Sequence, residues 1–323
     1  MNDIAELEQR LIAGDRRALA RVLTLVEDGD LDLQRDIVAR LHPRAGRARL
    51  LGITGSPGVG KSSVTSALVT GLRALDRRVA VLAVDPSSPL TGGALLGDRI
   101  RMQAHHGDTG VFVRSMAARG HLGGLAAAVP VAALVLDAAG FDDVVLETVG
   151  VGQSEVDVAA MADTTLVVLA PGLGDSIQAA KAGILEVADV LVVNKADQPG
   201  AGRLESELRG MLELGHVTGI VADGGWTPPL LRTVAVRSEG IDELITAIDE
   251  HGRATMQAGA GTSVRELLRA RRWIVELAAG RLRDVLTGPD GPLRQRLEQL
   301  AAEVVDRTLD PMTAAERLTD GLG

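Results

Sequence analysis

Leu50-Leu51-Gly52-Ile53-Thr54-Gly55-Ser56-Pro57-Gly58-Val59-Gly60-Lys61-Ser62 decides the fold of this chain. An apolar run reads as a buried strand, and Gly55 to Ser62 then fits G-x-x-x-x-G-K-S, the phosphate-binding loop that turns a strand into a helix. The glycines let the backbone curl so that successive N–H groups face α- and β-phosphates. Lys61 reaches the β- and γ-phosphates, and the Ser62 hydroxyl suits Mg²⁺. A helix expected from Lys61 to about Leu75 adds the positive end of its dipole. The alternative, a glycine turn with an incidental lysine, does not account for the strand before the loop and the helix after it. The candidate nucleotide-binding residues here are Gly55, Ser56, Pro57, Gly58, Val59, Gly60, Lys61, Ser62 and Ser63.

Outward from that loop, short apolar runs recur at Val79–Val84, Val111–Val113, Val144–Leu146, Thr165–Leu169, Val190–Val193 and Leu231–Val236. Unbroken runs of this length predict buried strands of a mostly parallel sheet with helices on both faces, an α/β fold of the P-loop NTPase type. The expected organisation is a helical N-terminal extension over residues 1–46, a nucleotide domain over 47–258 and a helical C-terminal arm over 259–323. In the extension, Leu7, Leu11 and Ile12 line a first helix, and Ala18, Val22 and Leu23 suggest a second. In the arm, Val264, Leu267, Leu268, Ile274, Val275, Ala278, Leu282 and Val285 form one stripe, and Leu293, Leu297, Leu300, Val304 and Leu309 another. Periodicity alone leaves open whether those stripes pack on the nucleotide domain or make a subunit contact.

Polar residues close several of the strands, at the edge where open α/β sheets bind ligands. Asn194-Lys195-Ala196-Asp197 is an N-K-x-D motif on that edge. Asp197 can accept from the guanine ring N–H and exocyclic amine, Lys195 can lay its stem along the base, and Asn194 can tie this loop to the P-loop. A site built on such pairing rejects a base that lacks the donors. Glu147-Thr148-Val149-Gly150 stands where a D-x-x-G switch is expected, with Glu147 suited to Mg²⁺ or its water and the Gly150 N–H to a γ-phosphate. Asp85 and Asp98 are further carboxylates for the metal, beside Ser62. Ala235 can offer its N–H to the guanine carbonyl, although Val234-Ala235-Val236-Arg237 departs from the usual Ser-Ala.

Composition narrows the partners. Aromatics make up only 1% of 323 residues, which leaves almost nothing to stack on nucleic-acid bases, and a net charge of −9 disfavours a phosphate-neutralising face. There is no cysteine, so thiolate metal sites and disulfides are excluded. No apolar stretch approaches spanning length and the start lacks a basic signal opening, so no membrane is expected and the reading is a cytoplasmic protein.

Longer motifs then carry a resemblance. Asp85-Pro86-Ser87-Ser88-Pro89, Thr91 through Met102, Glu147 through Glu155, Pro171 through Gln178 with Lys181, and Asn194 to Asp197 closely resemble the MeaB/ArgK/MMAA family of P-loop GTPases, over nearly the whole chain. The resemblance implies hydrolysis of GTP to GDP, Mg²⁺ as cofactor, and service as a chaperone of adenosylcobalamin-dependent methylmalonyl-CoA mutase. It also implies a homodimer joined through the C-terminal arm. It marks the segment from Pro171 to Lys181 as a switch sensed by the mutase and Lys181 as linked to stimulated hydrolysis, so that Lys181, with Gln153 of the loop after Gly150, joins Lys61 as a catalytic candidate. No residue stands out as a general base, so catalysis should be electrostatic and slow until a partner completes the site. The competing readings are a P-loop small-molecule kinase, against which N-K-A-D counts, a metal-insertion GTPase, whose usual His and Cys clusters are missing, and a scaffold with negligible turnover.

Overall fold

The computed structural model describes residues 2–28, 31–86, 105, 107–118, 128–148, 158, 161–172, 187–218, 226–257, 264–287 and 293–320. The chain divides into two units, Met1–Ala270 and Arg271–Gly323.

The first unit is built on a seven-stranded parallel sheet: β1 (Arg49–Thr54), β2 (Val79–Pro86), β3 (Val111–Ala118), β4 (Asp143–Thr148), β5 (Thr164–Leu169), β6 (Val190–Val193) and β7 (Leu230–Arg232), in the order β3-β2-β4-β1-β5-β6-β7. β1 lies between β4 and β5, with Ile53 paired to Glu147 on one side and Leu166 on the other. All seven strands therefore end on one edge, and the loop after β1 leaves from the middle of it. Between their polar ends the central strands are apolar because both faces are covered. Leu166 and Val168 join the core beneath α4 (Lys61–Ala74), while Val167 and Leu169 pack with Leu204 and Leu208 of the helix Ala201–Thr218. Leu51 and Ile53 are fully buried, and truncating such a side chain to alanine costs about 2–5 kcal/mol.

The sheet differs from the sequence expectation at its end. The run Leu231–Val236 is not one strand: β7 stops at Arg232, and Ala235–Arg237 forms a 3₁₀ turn. Val234 and Glu239 instead make a lone antiparallel bridge that folds the chain back. Val234 and Ala235 are apolar because the turn buries them.

Three helices precede the sheet where two were expected: α1 (Asn2–Ile12), α2 (Arg16–Asp28) and α3 (Leu31–Leu41). Leu7 and Leu11 are buried as expected, but Ile12 is exposed. Arg16 donates to the carbonyls of Asp108, Thr109 and Val111 at 3.0, 3.2 and 2.7 Å. Asp137, on the helix Ala128–Ala138, accepts from the backbone N–H groups of Gly46, Arg47 and Ala48. These bonds fasten the extension and its connector to the sheet layer. In the second unit, Leu300, Ala314 and Leu318 form a small core with Leu286, Leu293, Leu297, Val304 and Leu309 around it.

Candidate functional site

The P-loop leaves β1 at Thr54 and re-enters regular structure at Lys61, the first residue of α4. Two glycines are dictated by what surrounds them. Gly55 has φ +136°, and a Cβ there would run into the Val168 carbonyl of β5; Gly60 has φ +95°, and its Cβ would stand 2.5 Å from Asn194 Nδ2. Only glycine tolerates both the dihedral and the approach. Lys61 is buried, and its ammonium turns back onto the carbonyls of Gly55 and Ser56. Ser62 Oγ donates to Glu147 Oε1 at 2.5 Å, joining the start of α4 to the end of β4. Glu147 is only 2% exposed. A hydroxyl and a carboxylate meeting on the phosphate side of the loop are the hard oxygen donors that Mg²⁺ prefers. Asp85 falls on the same edge, one residue past the Val84–Thr148 pairing of β2 and β4. Asp98, Gly150, Gln153 and Lys181, all candidates from the sequence, lie outside the described residues.

The second half of the site follows β6. Asn194 is 2% exposed and its amide bonds in three directions. Nδ2 donates to the Val59 carbonyl at 2.9 Å, while Oδ1 accepts from Thr233 Oγ1 and from the Ala235 N–H, each at 3.2 Å. One side chain thus ties the P-loop, the N-K-A-D turn and the turn after β7. Lys195 adopts φ +56° and its Nζ donates to the Gly58 carbonyl at 2.7 Å, so its stem lies from the N-K-A-D turn across to the P-loop. Asp197 stays partly exposed and accepts from Arg237 Nη1 at 3.1 Å. The Ala235 N–H, expected to meet a guanine carbonyl, is here donated to Asn194, so a base would have to share or take it.

Three residues around this corner escaped the sequence reading. Thr233 is buried and bonds Asn194. Arg237 bridges Asp197 and Glu239, and Glu239 accepts from Arg237 Nε at 2.7 Å and Nη2 at 3.2 Å. The only sequence signal for Thr233 was a polar residue within an apolar run, and Arg237 and Glu239 gave none.

Residues 19–289 match the family model described as methylmalonyl-CoA mutase-associated GTPase MeaB. The chain is 44% identical to a putative GTPase of Pyrococcus abyssi over 315 residues, 98% of this chain and 95% of that protein. It is 36% identical to GTPase ArgK of Escherichia coli over 321 residues, 98% of this chain and 96% of that one. Among solved structures, one described as a LAO/AO transport system kinase superposes with a TM-score of 0.71 at 28% identity, covering 100% of this chain and 98% of its own.

Proposed function

The chain belongs to the MeaB family of methylmalonyl-CoA mutase-associated GTPases, and from that premise we propose that it is a nucleotide-switched chaperone of adenosylcobalamin-dependent methylmalonyl-CoA mutase, gating cofactor loading and protecting the enzyme. Its chemistry is that of a GTP hydrolase, converting GTP and water to GDP and phosphate. The observation that carries the guanine assignment is the Asn194 junction, which holds Asp197 and the P-loop on one framework. With both ends of the ligand bound on that framework, Asp197 accepts from the guanine N–H groups and Lys195 flanks the ring.

Around the phosphates, the self-contacts of the P-loop are the ones a ligand replaces. Lys61 leaves the Gly55 and Ser56 carbonyls for the β- and γ-phosphate oxygens, and the loop N–H groups face the charge that develops as the γ-phosphoryl departs. The Ser62 and Glu147 oxygens fit Mg²⁺, with Asp85 and Asp98 as further candidates. When bound there, the ion supplies positive charge beside the β- and γ-phosphates. By the family resemblance, Gly150, Gln153 and Lys181 report and accelerate γ-phosphate loss. We assign residues 47–258 to the GTPase domain, 1–46 to its extension and 259–323 to a homodimerisation arm in a cytoplasmic protein. Support for the arm comes from Leu267, Ile274, Val275 and Leu282, apolar and exposed on one helix.

The test is GTP turnover by the purified protein with and without purified methylmalonyl-CoA mutase, together with co-elution of the two in GDP and in a non-hydrolysable GTP analogue. Acceleration by the mutase and nucleotide-dependent co-elution are expected. Turnover and elution that ignore the mutase would end the chaperone reading, while leaving the GTPase intact.

A further inference from the structure

The arginine beside the base-reading carboxylate is the feature that the nucleotide chemistry above leaves unused. Arg237 closes the 3₁₀ turn, its N–H bonded to the Val234 carbonyl at 2.8 Å, and Ser238 follows at φ +57°. The Val234–Glu239 bridge then brings Glu239 alongside. The guanidinium is used on two edges. Nε and Nη2 grip the two oxygens of Glu239 at 2.7 and 3.2 Å, and Nη1 donates to Asp197 Oδ2 at 3.1 Å. A fork seated on one carboxylate has a fixed plane, so the direction of its remaining N–H is fixed too. The three residues border a small open pocket beneath the N-K-A-D turn, with Thr233 and Ala196.

Asp197, Glu239 and Arg237 have side chains 38%, 57% and 50% exposed. At that exposure ion pairs contribute little to folding. The Arg237 fork, first among the causes, holds the Glu239 carboxyl below its ordinary range although Asp197 stands nearby, and Glu239 in turn raises the Arg237 guanidinium. The arginine is charged throughout the working range of pH, and its two-pronged contact with Glu239 is what seats it. A carboxylate has about four lone-pair directions, so one donor on Oδ2 leaves room for two more. Asp197 without its arginine could turn about its χ2 torsion, which is a broad one, and a two-point contact with a base requires that plane to be set.

We propose that Arg237, clamped by Glu239, is a positioning residue for guanine selectivity: it sets the plane of Asp197 so that both carboxylate oxygens meet the base. The inference rests on Asp197 being the guanine reader. The second contact is the one to guanine's exocyclic amine, which the hypoxanthine base of ITP lacks, so the GTP-to-ITP affinity ratio reads the positioning directly.

Equilibrium binding of GTP, ITP and ATP should be measured for the parent, Arg237→Ala, Arg237→Lys, Glu239→Gln, Asp197→Asn and the Asp197→Asn/Arg237→Ala double variant, each with its melting temperature. Arg237→Ala is expected to shrink the GTP-to-ITP ratio about five- to tenfold, less than the roughly 10- to 150-fold carried by a whole hydrogen bond to a charged group, because the contact is loosened and not removed. Glu239→Gln should shrink it less, Arg237→Lys should restore part of it, and melting should barely move. In the Asp197→Asn background, removing Arg237 should add nothing further. An unchanged ratio in Arg237→Ala overturns the proposal, as does an equal loss with and without Asp197, which would mean that Arg237 acts independently of the carboxylate. If Asp197→Asn leaves the preference for GTP over ATP intact, the guanine-reader assignment itself has failed. If Asp197→Asn abolishes that preference while Arg237→Ala leaves the GTP-to-ITP ratio alone, only the positioning role has.

Discussion

At the phosphate end of the site, polar side chains occupy places that a ligand will claim. At the base end, they bond mostly to one another and to the backbone, and of those contacts a base would claim a share of one, the Ala235 N–H. Lys61 sits on the carbonyls of its own loop and Ser62 on Glu147, contacts that would give way to phosphate oxygens at the lysine and to a metal ion between the two oxygens. Asn194, by contrast, spends one N–H of its amide on Val59 and its carbonyl oxygen on Thr233 and Ala235. The two ends thus divide the work. One carries charge that acts on the ligand, and the other carries geometry that exists without it.

That contrast makes opposite demands on mutations at the two ends. Lys61→Ala should cost about 10²–10³-fold or more in hydrolysis while circular dichroism and melting stay near the parent, because its ammonium meets carbonyls of its own loop and supplies no apolar packing. A comparable fall in melting temperature would show that the lysine belongs to the framework after all. Asn194→Ala should do the reverse first. It strands the Thr233 hydroxyl, the Ala235 N–H and the Val59 carbonyl in a buried corner, at about 1–3 kcal/mol for each group left unsatisfied, so melting and GTP affinity should fall together. Stability equal to the parent would remove Asn194 from the framework.

Glu147→Gln probes the boundary between the two behaviours, since Glu147 is buried yet holds a ligand-exchanging partner. The Mg²⁺ concentration for half-maximal turnover should rise about tenfold, in the range seen when metal-supporting carboxylates are lost. An unchanged Mg²⁺ titration would place the ion elsewhere. The smallest effect is expected away from the nucleotide, at Asp108, which accepts from Arg73 Nε at 2.8 Å and the Gly110 N–H at 2.7 Å. The Arg73 bond, ahead of the Gly110 bond, holds this carboxyl below its ordinary range. A lowered carboxyl stabilises the fold at neutral pH, and the contribution fades as pH falls below about 4 and through the folded-state value. Asp108→Asn should therefore unfold slightly more easily at pH 7, and its urea midpoint should converge on the parent's as pH falls through the folded-state value of the carboxyl. A constant gap across that range would deny the link to titration.

What the sequence made legible follows the same division. The P-loop, the strands and N-K-A-D were readable because each is encoded within a few consecutive residues by period and residue type. Arg237 was not, because it meets Asp197 across 40 residues of chain and only the bridge from Val234 to Glu239 turns it that way. The apparent strand Leu231–Val236 misled for a related reason: burial demands apolar residues in a tight turn as it does in a strand, and periodicity over six residues cannot tell them apart. The third N-terminal helix escaped because its buried stripe is narrow, with Ile37 and Leu41 its fully buried members.

The fastening of the N-terminal helices has a consequence for how this chain can diverge. Arg16 grips three main-chain carbonyls and Asp137 three main-chain N–H groups. Every residue type presents the same carbonyl, and every type but proline the same N–H. The seam therefore reads no side chain at positions 108, 109, 111 and 46–48 beyond excluding proline at 46, 47 or 48; what else fixes these positions is local, as the φ of +99° does at Gly46 and burial does at Val111. The fragility of the attachment is concentrated in two side chains, so homologues that keep it should hold an arginine and an aspartate at positions 16 and 137 whatever happens to the side chains they grasp.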